Sequence, residues 1–256
     1  MLAALLIWTN SLKSQGELDE QQRIFLRNEK SFGIQLNSDG LGFGYRIANR
    51  VDYRNKNILE FELGTIKHPK EYKLASYYSY FGGLPFVFGK KNFPVYLRGS
   101  IGRQRELYTK ADLGGVSIRL LYSAGPTLAV YKPYYYKVIP QNSNDLKEEK
   151  FNTDPNIYQN IFGRASFFKG FNEIGVIPGV FAKTGFAFEY SKTDKVIHAI
   201  EVGTNLNAYL KEIPIMATND NRAVFLTLFV SYRFGVVVDP LNPESNKIKN
   251  LFRGNY

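Results

Sequence analysis

From Val224 to Phe234 every second residue is apolar or aromatic on a single face, and this two-residue period dictates a β-strand. Val224, Leu226, Leu228, Val230, Tyr232 and Phe234 share that face, whereas Thr227, Ser231 and Arg233 share the other with Phe225 and Phe229. A helix would scatter the same residues around its circumference. The segment 196–210 repeats the scheme, with Ile200, Val202, Leu206, Ala208 and Leu210 opposing Glu201, Gly203, Asn205 and Asn207, and Thr204 as the exception.

Eight segments bounded by turn residues carry this alternation: 31–37, 41–49, 57–66, 95–107, 115–131, 179–191, 196–210 and 223–235. No segment of comparable length has helical periodicity. The pattern predicts an all-β chain, an antiparallel transmembrane β-barrel of about 8 strands over residues 31–235 with long extracellular loops. Composition agrees, since 22 Gly, 18 Tyr and 20 Phe stand against one Trp and two Met.

Which face points inward separates a membrane barrel from a soluble lipocalin-like carrier. Collected together, the polar faces supply Arg46, Arg98, Arg119, Lys183 and Arg233 against Glu60, Glu62, Glu189 and Glu201. In a soluble barrel these groups would face water; in a membrane barrel they would pair inside. Apolar faces crowded with Phe, Tyr and Leu favour the membrane barrel. Eight strands enclose just enough room for side chains, so the interior is expected to be filled rather than open.

Loop lengths provide an independent check. Links 51–56, 108–114 and 192–195 are short and read as periplasmic, while 67–94, 132–178 and 211–222 are long and read as extracellular; 38–40 is a tight outer turn. Tyr77, Tyr78 and Tyr80, and Tyr131, Tyr134, Tyr135 and Tyr136, fall where an aromatic girdle is expected. Residues 1–16, with the apolar run Leu2 to Trp8, read as a signal segment, although no Lys or Arg precedes that run. Residues 17–30 then form a periplasmic N-terminal segment, and 236–256 a C-terminal periplasmic tail.

Little in the chain suggests catalysis. There is no cysteine, and His68 and His198 are the two histidines. His68 lies in an outer connection and His198 near the periplasmic end of a strand, the wrong end for a lipid A-modifying barrel enzyme. No GxSxG elbow, HExxH pair or Ser-His-Asp spacing is present. Glu60 and Glu62 share a face because of their spacing in a strand, which suits ion pairing better than acid–base chemistry. No cofactor or metal is implied. The net charge of +10 fits the phosphates of lipopolysaccharide in an exported barrel, and nucleic acid is not an expected partner. In the connection 132–178, Phe162, Arg164, Phe167, Phe168 and Phe171 read equally as a partner-binding surface or as a lid over the barrel mouth.

The end of the eighth segment resembles the terminal β-signal that barrel-assembly machines recognise, with Tyr232 and Phe234 on the lipid face. It departs from that pattern because residues 236–256 follow. The strand pattern, together with His68-Pro69-Lys70-Glu71, Phe162-Gly163-Arg164, Glu201-Val202-Gly203 and Ile213-Pro214-Ile215-Met216, resembles a family of outer-membrane barrels from Bacteroidota. That family includes non-catalytic subunits of the barrel-assembly machinery and of the type IX secretion apparatus. The resemblance spans residues 30–235 and implies a non-enzymatic accessory subunit or anchor of a complex with other outer-membrane proteins, with outer-membrane protein assembly favoured.

Overall fold

The computed structural model describes residues 28–110, 115–140, 145–151, 160–191 and 196–238. The expected signal segment, residues 17–27 of the N-terminal segment and residues 239–256 of the tail lie outside the described residues. Eight strands close a barrel: β1 (Asn28–Asn37), β2 (Gly40–Arg50), β3 (Asn55–Thr65), β4 (Asn92–Tyr108), β5 (Ser117–Pro133), β6 (Gly175–Glu189), β7 (Val196–Tyr209) and β8 (Val224–Val238). Each runs antiparallel to the next, and β8 returns to β1 from Asn28 against Val238 to Asn37 against Phe229. The order is a plain meander.

All eight expected strands are present, and the ends differ by a few residues. β1 begins at Asn28, so Glu29 belongs to the barrel rather than to a preceding segment. β6 begins at Gly175, because Pro178 does not break it: this residue lies opposite Leu128 in register, and its carbonyl accepts the amide of Leu210 at 3.0 Å. β8 runs on to Val238.

The strands are strongly tilted. A row of cross-strand partners leaving Asn37 travels by way of Phe229, Gly203, Leu121 and Lys56 to Arg50, whose amide donates to Asn28 Oδ1 at 3.1 Å. One circuit therefore drops from one end of β1 to the other, the stagger that closes a small barrel. The same stagger brings side chains from distant strands to one level.

The polarity is inverted relative to a soluble barrel. Phe32, Phe61, Leu226 and Val180 are among the exposed outward residues, the last two at 73% and 64% exposure, while Arg46, Lys183, Glu60 and Glu201 are buried within. Such a wall is stable only against hydrocarbon, so the chain spans a membrane; a lipocalin has the opposite arrangement. Inside, Gly42 and Gly64 make a lane for the Tyr96 ring. A Cβ at Gly42 would come 2.3 Å from Tyr96 Oη, and one at Gly64 would come 2.4 Å from its ring. Gly42 of β2 and Gly64 of β3 thus serve close packing.

The three long connections leave one end of the barrel, and their described residues are folded. Ile213, Ile215 and Met216 from the 210–223 connection pack on Tyr96, Ala129, Ile177 and Tyr209, closing the mouth with an apolar cap. Each buried side chain of this kind contributes about 1.5 to 3 kcal/mol. Above the cap, short strands Ile161–Arg164, Tyr135–Val138 and Lys147–Lys150 form a sheet around a second core of Phe86, Tyr136, Val138 and Ile161. This corrects part of the expected girdle: Tyr136 is buried, and its hydroxyl donates to Val87 O at 2.6 Å and accepts from Lys90 N at 2.8 Å. Burial pushes that phenol well above its ordinary pKa. Tyr131 turns toward the mouth core instead of the lipid.

Candidate functional site

The interior charges are paired in clusters stacked along the lumen. At its centre Arg46 on β2 donates to Glu60 on β3 at 3.0 Å and to Glu201 on β7. Arg233 on β8 reaches the same two carboxylates, Glu201 at 3.1 Å and Glu60 by an end-nitrogen contact. The result is a closed ring of alternating charge, Arg46–Glu60–Arg233–Glu201, lying across the lumen. Gly33 permits it, since the Arg233 guanidinium carbon lies only 3.3 Å from where a Cβ would stand.

Toward the loop end, Lys183 pairs with Glu62 and approaches Glu60 at 3.6 Å, while Arg98 donates to Glu62 at 3.3 Å and lies 3.7 Å above the Tyr96 ring. Toward the other end, Arg119 pairs with Glu189 and with Glu29 at 3.4 Å, Lys56 pairs with Glu29, and Lys110 donates to Glu189 at 3.0 Å. All nine residues expected in this interior set are therefore buried there. Glu29 and Lys56 were missed. Both continue the inward parity of a recognised strand by one further step, Glu29 before Ser31 and Lys56 before Ile58, and lie where the apolar side of the pattern fades.

Chemically the arrangement is a plug. Ionised groups removed from water are tolerable only when paired, and here buried cations Arg46, Lys56, Arg98, Arg119, Lys183 and Arg233 meet Glu29, Glu60, Glu62, Glu189 and Glu201. The space left between Arg46, Gln104, Arg119 and Glu201 is about 10 Å³, room for one water at most. No group of three or more potential metal ligands occurs among the described residues.

Both histidines are engaged in local contacts. His68 Nδ1 accepts the Lys70 amide at 3.1 Å and Nε2 faces the Asp220 carbonyl at 3.3 Å. His198 lies on the outer wall, with Nδ1 2.8 Å from Tyr232 Oη and its ring stacked between Tyr190 and Tyr232. Tyr232 and Phe234 both point outward as expected, and Phe234 stacks on Phe32 at 6.0 Å across the β8–β1 seam.

The five residues of the expected partner surface divide into two groups. Phe167, Phe168 and Phe171 pack together with centroids 5.8 to 6.2 Å apart. Phe162 instead stacks on Tyr78 at 5.8 Å, and Arg164 ends the same short strand, exposed.

No family model and no curated protein matches the chain. Among solved structures it is similar to Neisserial surface protein A, at 10% identity and a TM-score of 0.40 over 82% of this chain and 96% of that one. It is also similar to the N-terminal β-barrel domain of OprF from Pseudomonas aeruginosa, at 10% identity and a TM-score of 0.35 over 82% and 97% of the two chains. Ail, the attachment invasion locus protein of Yersinia pestis, shows 8% identity and a TM-score of 0.36 over 82% and 96%.

Proposed function

We propose that the chain is a non-enzymatic outer-membrane β-barrel serving as an accessory subunit or anchor of a multiprotein complex, with assembly of other outer-membrane proteins its favoured task. The observation that carries this reading is the Arg46–Glu60–Arg233–Glu201 ring beneath the cap of Ile213, Ile215 and Met216. A lumen crossed by ion pairs and lidded by apolar side chains has no room for a solute, so the chain acts through its surfaces.

Three surfaces suit that task. The folded loop end, with Phe162 on Tyr78 and exposed Arg164, offers a fixed outer face to other outer-membrane proteins. The wall meets lipid, and the net charge of +10 favours the phosphates of lipopolysaccharide. Tyr232 and Phe234, outward on the closing strand, fit an assembly signal.

Affinity purification of the full chain from its native outer membrane, with quantification of folded barrels after its depletion, tests the reading. Co-purification with barrel-assembly subunits and a loss of folded porins is expected. Recovery as a lone monomer with porins unchanged overturns it, co-purification with secretion subunits would reassign the complex, and altered lipid A in a His68→Ala, His198→Ala variant would restore an enzymatic role.

A further inference from the structure

The last stretch before β6, residues 165–174, runs along the outside of the barrel wall. Along β5 the inward positions are Arg119, Leu121, Ser123, Thr127 and Ala129, so the alternation turns Lys132 outward, opposite Phe93 of β4. An ammonium group on that wall, at the edge of the hydrocarbon, needs partners. The 165–171 segment supplies them. Lys132 Nζ donates to the carbonyls of Phe167 and of Lys169, the latter at 3.1 Å, and lies over the Phe167 and Phe171 rings at 4.4 and 5.0 Å. Phe167 in turn packs edge-on against Phe93 at 5.6 Å.

The cation is thus covered from the lipid side, and the rings that cover it face out. Phe168 is 78% exposed, and Phe171 and Ile174 are exposed just before the outward Val176 and Val180 of β6. Charges beside this knuckle are already paired, Lys169 with Glu148 at 3.3 Å and Lys150 with Glu173. What remains is an apolar aromatic surface continuous with the lipid-facing wall.

We propose that Phe167, Phe168 and Phe171 form a wedge that inserts into the outer leaflet beside β5 and β6, its occupant being membrane lipid rather than a protein. The knuckle is then an extension of the membrane-spanning surface, formed by a loop instead of a strand. The proposal rests on the transmembrane build and is independent of the proposed complex.

The test places a single reporter in the full chain. Trp8 is the one tryptophan, so a Trp8→Phe, Phe168→Trp variant is reconstituted in phosphatidylcholine vesicles brominated near the headgroup or near the chain end. Heat-modifiable mobility confirms folding, with Phe171→Trp as the substitute should Phe168→Trp not fold, and Phe61→Trp marks mid-wall depth. The expected result is a blue-shifted emission that loses most of its intensity to the shallow bromines and little to aqueous iodide, whereas the Phe61→Trp reporter responds to the deep ones. Emission indifferent to both brominated lipids and quenched by iodide overturns the wedge. Iodide quenching in vesicles that disappears in native membranes also overturns it, in favour of a protein partner.

Discussion

Arg233 on β8 and Glu60 on β3 are paired inside the barrel although 173 residues and two intervening strands separate them. The tilt of the strands brings them level, and Arg46 and Glu201 close the ring around them. Removing one member of a buried ion pair leaves an uncompensated charge, at about 3 to 5 kcal/mol, against about 0 to 1 kcal/mol for a pair in water. Arg233→Ala should therefore lower the unfolding temperature of the reconstituted barrel strongly, while Lys70→Ala, which breaks an exposed pair with Asp220, should leave it nearly unchanged. Heat-modifiable gel mobility against temperature reads both.

The Tyr96 lane gives a compensating pair. Gly42→Ala sets a methyl 2.3 Å from Tyr96 Oη, an overpacking expected to destabilise by about 1 to 3 kcal/mol. Tyr96→Phe in the same chain removes that oxygen and leaves the next ring atom at 3.5 Å. The double variant should recover most of the loss, less the bond that Asn37 donates to Tyr96 Oη at 3.1 Å. Equal destabilisation of the single and double variants would contradict the lane.

How much of this was legible in the sequence follows from how far each feature depends on local order. Alternation in the 224–234 run fixed its inward and outward sets, because strand parity is a property of neighbouring residues. The partner of Arg233 was illegible, because it depends on the stagger of the whole circuit. Tyr136 and Tyr131 depart from the girdle because a tyrosine at a strand end suits a girdle and a folded loop equally, and only the second core around Phe86 decides for Tyr136 and the mouth core for Tyr131. Lys132 looked like the first residue of a loop, and nothing local marks it as the cation that the Phe167 segment covers.

Phe234 separates folding from insertion. It is 41% exposed and its principal ring contact is Phe32, so Phe234→Ala should lower the amount of barrel inserted in the membrane more than the unfolding temperature of what is inserted. Membrane abundance and heat-modifiable mobility on one preparation distinguish these. A drop in unfolding temperature as large as that of Arg233→Ala, with normal abundance, would assign Phe234 to structure and remove the case for an assembly signal.

The filled lumen is tested most directly by conductance in planar bilayers, on the intact chain and on an Ile213→Ser, Ile215→Ser, Met216→Ser variant that loosens the cap. The ring of Arg46, Glu60, Arg233 and Glu201 lies below that cap and seals the barrel by itself. Neither protein should show a stable conductance. A reproducible ion-conducting state of the intact chain would contradict the plug and, with it, the conclusion that this barrel works through its surfaces.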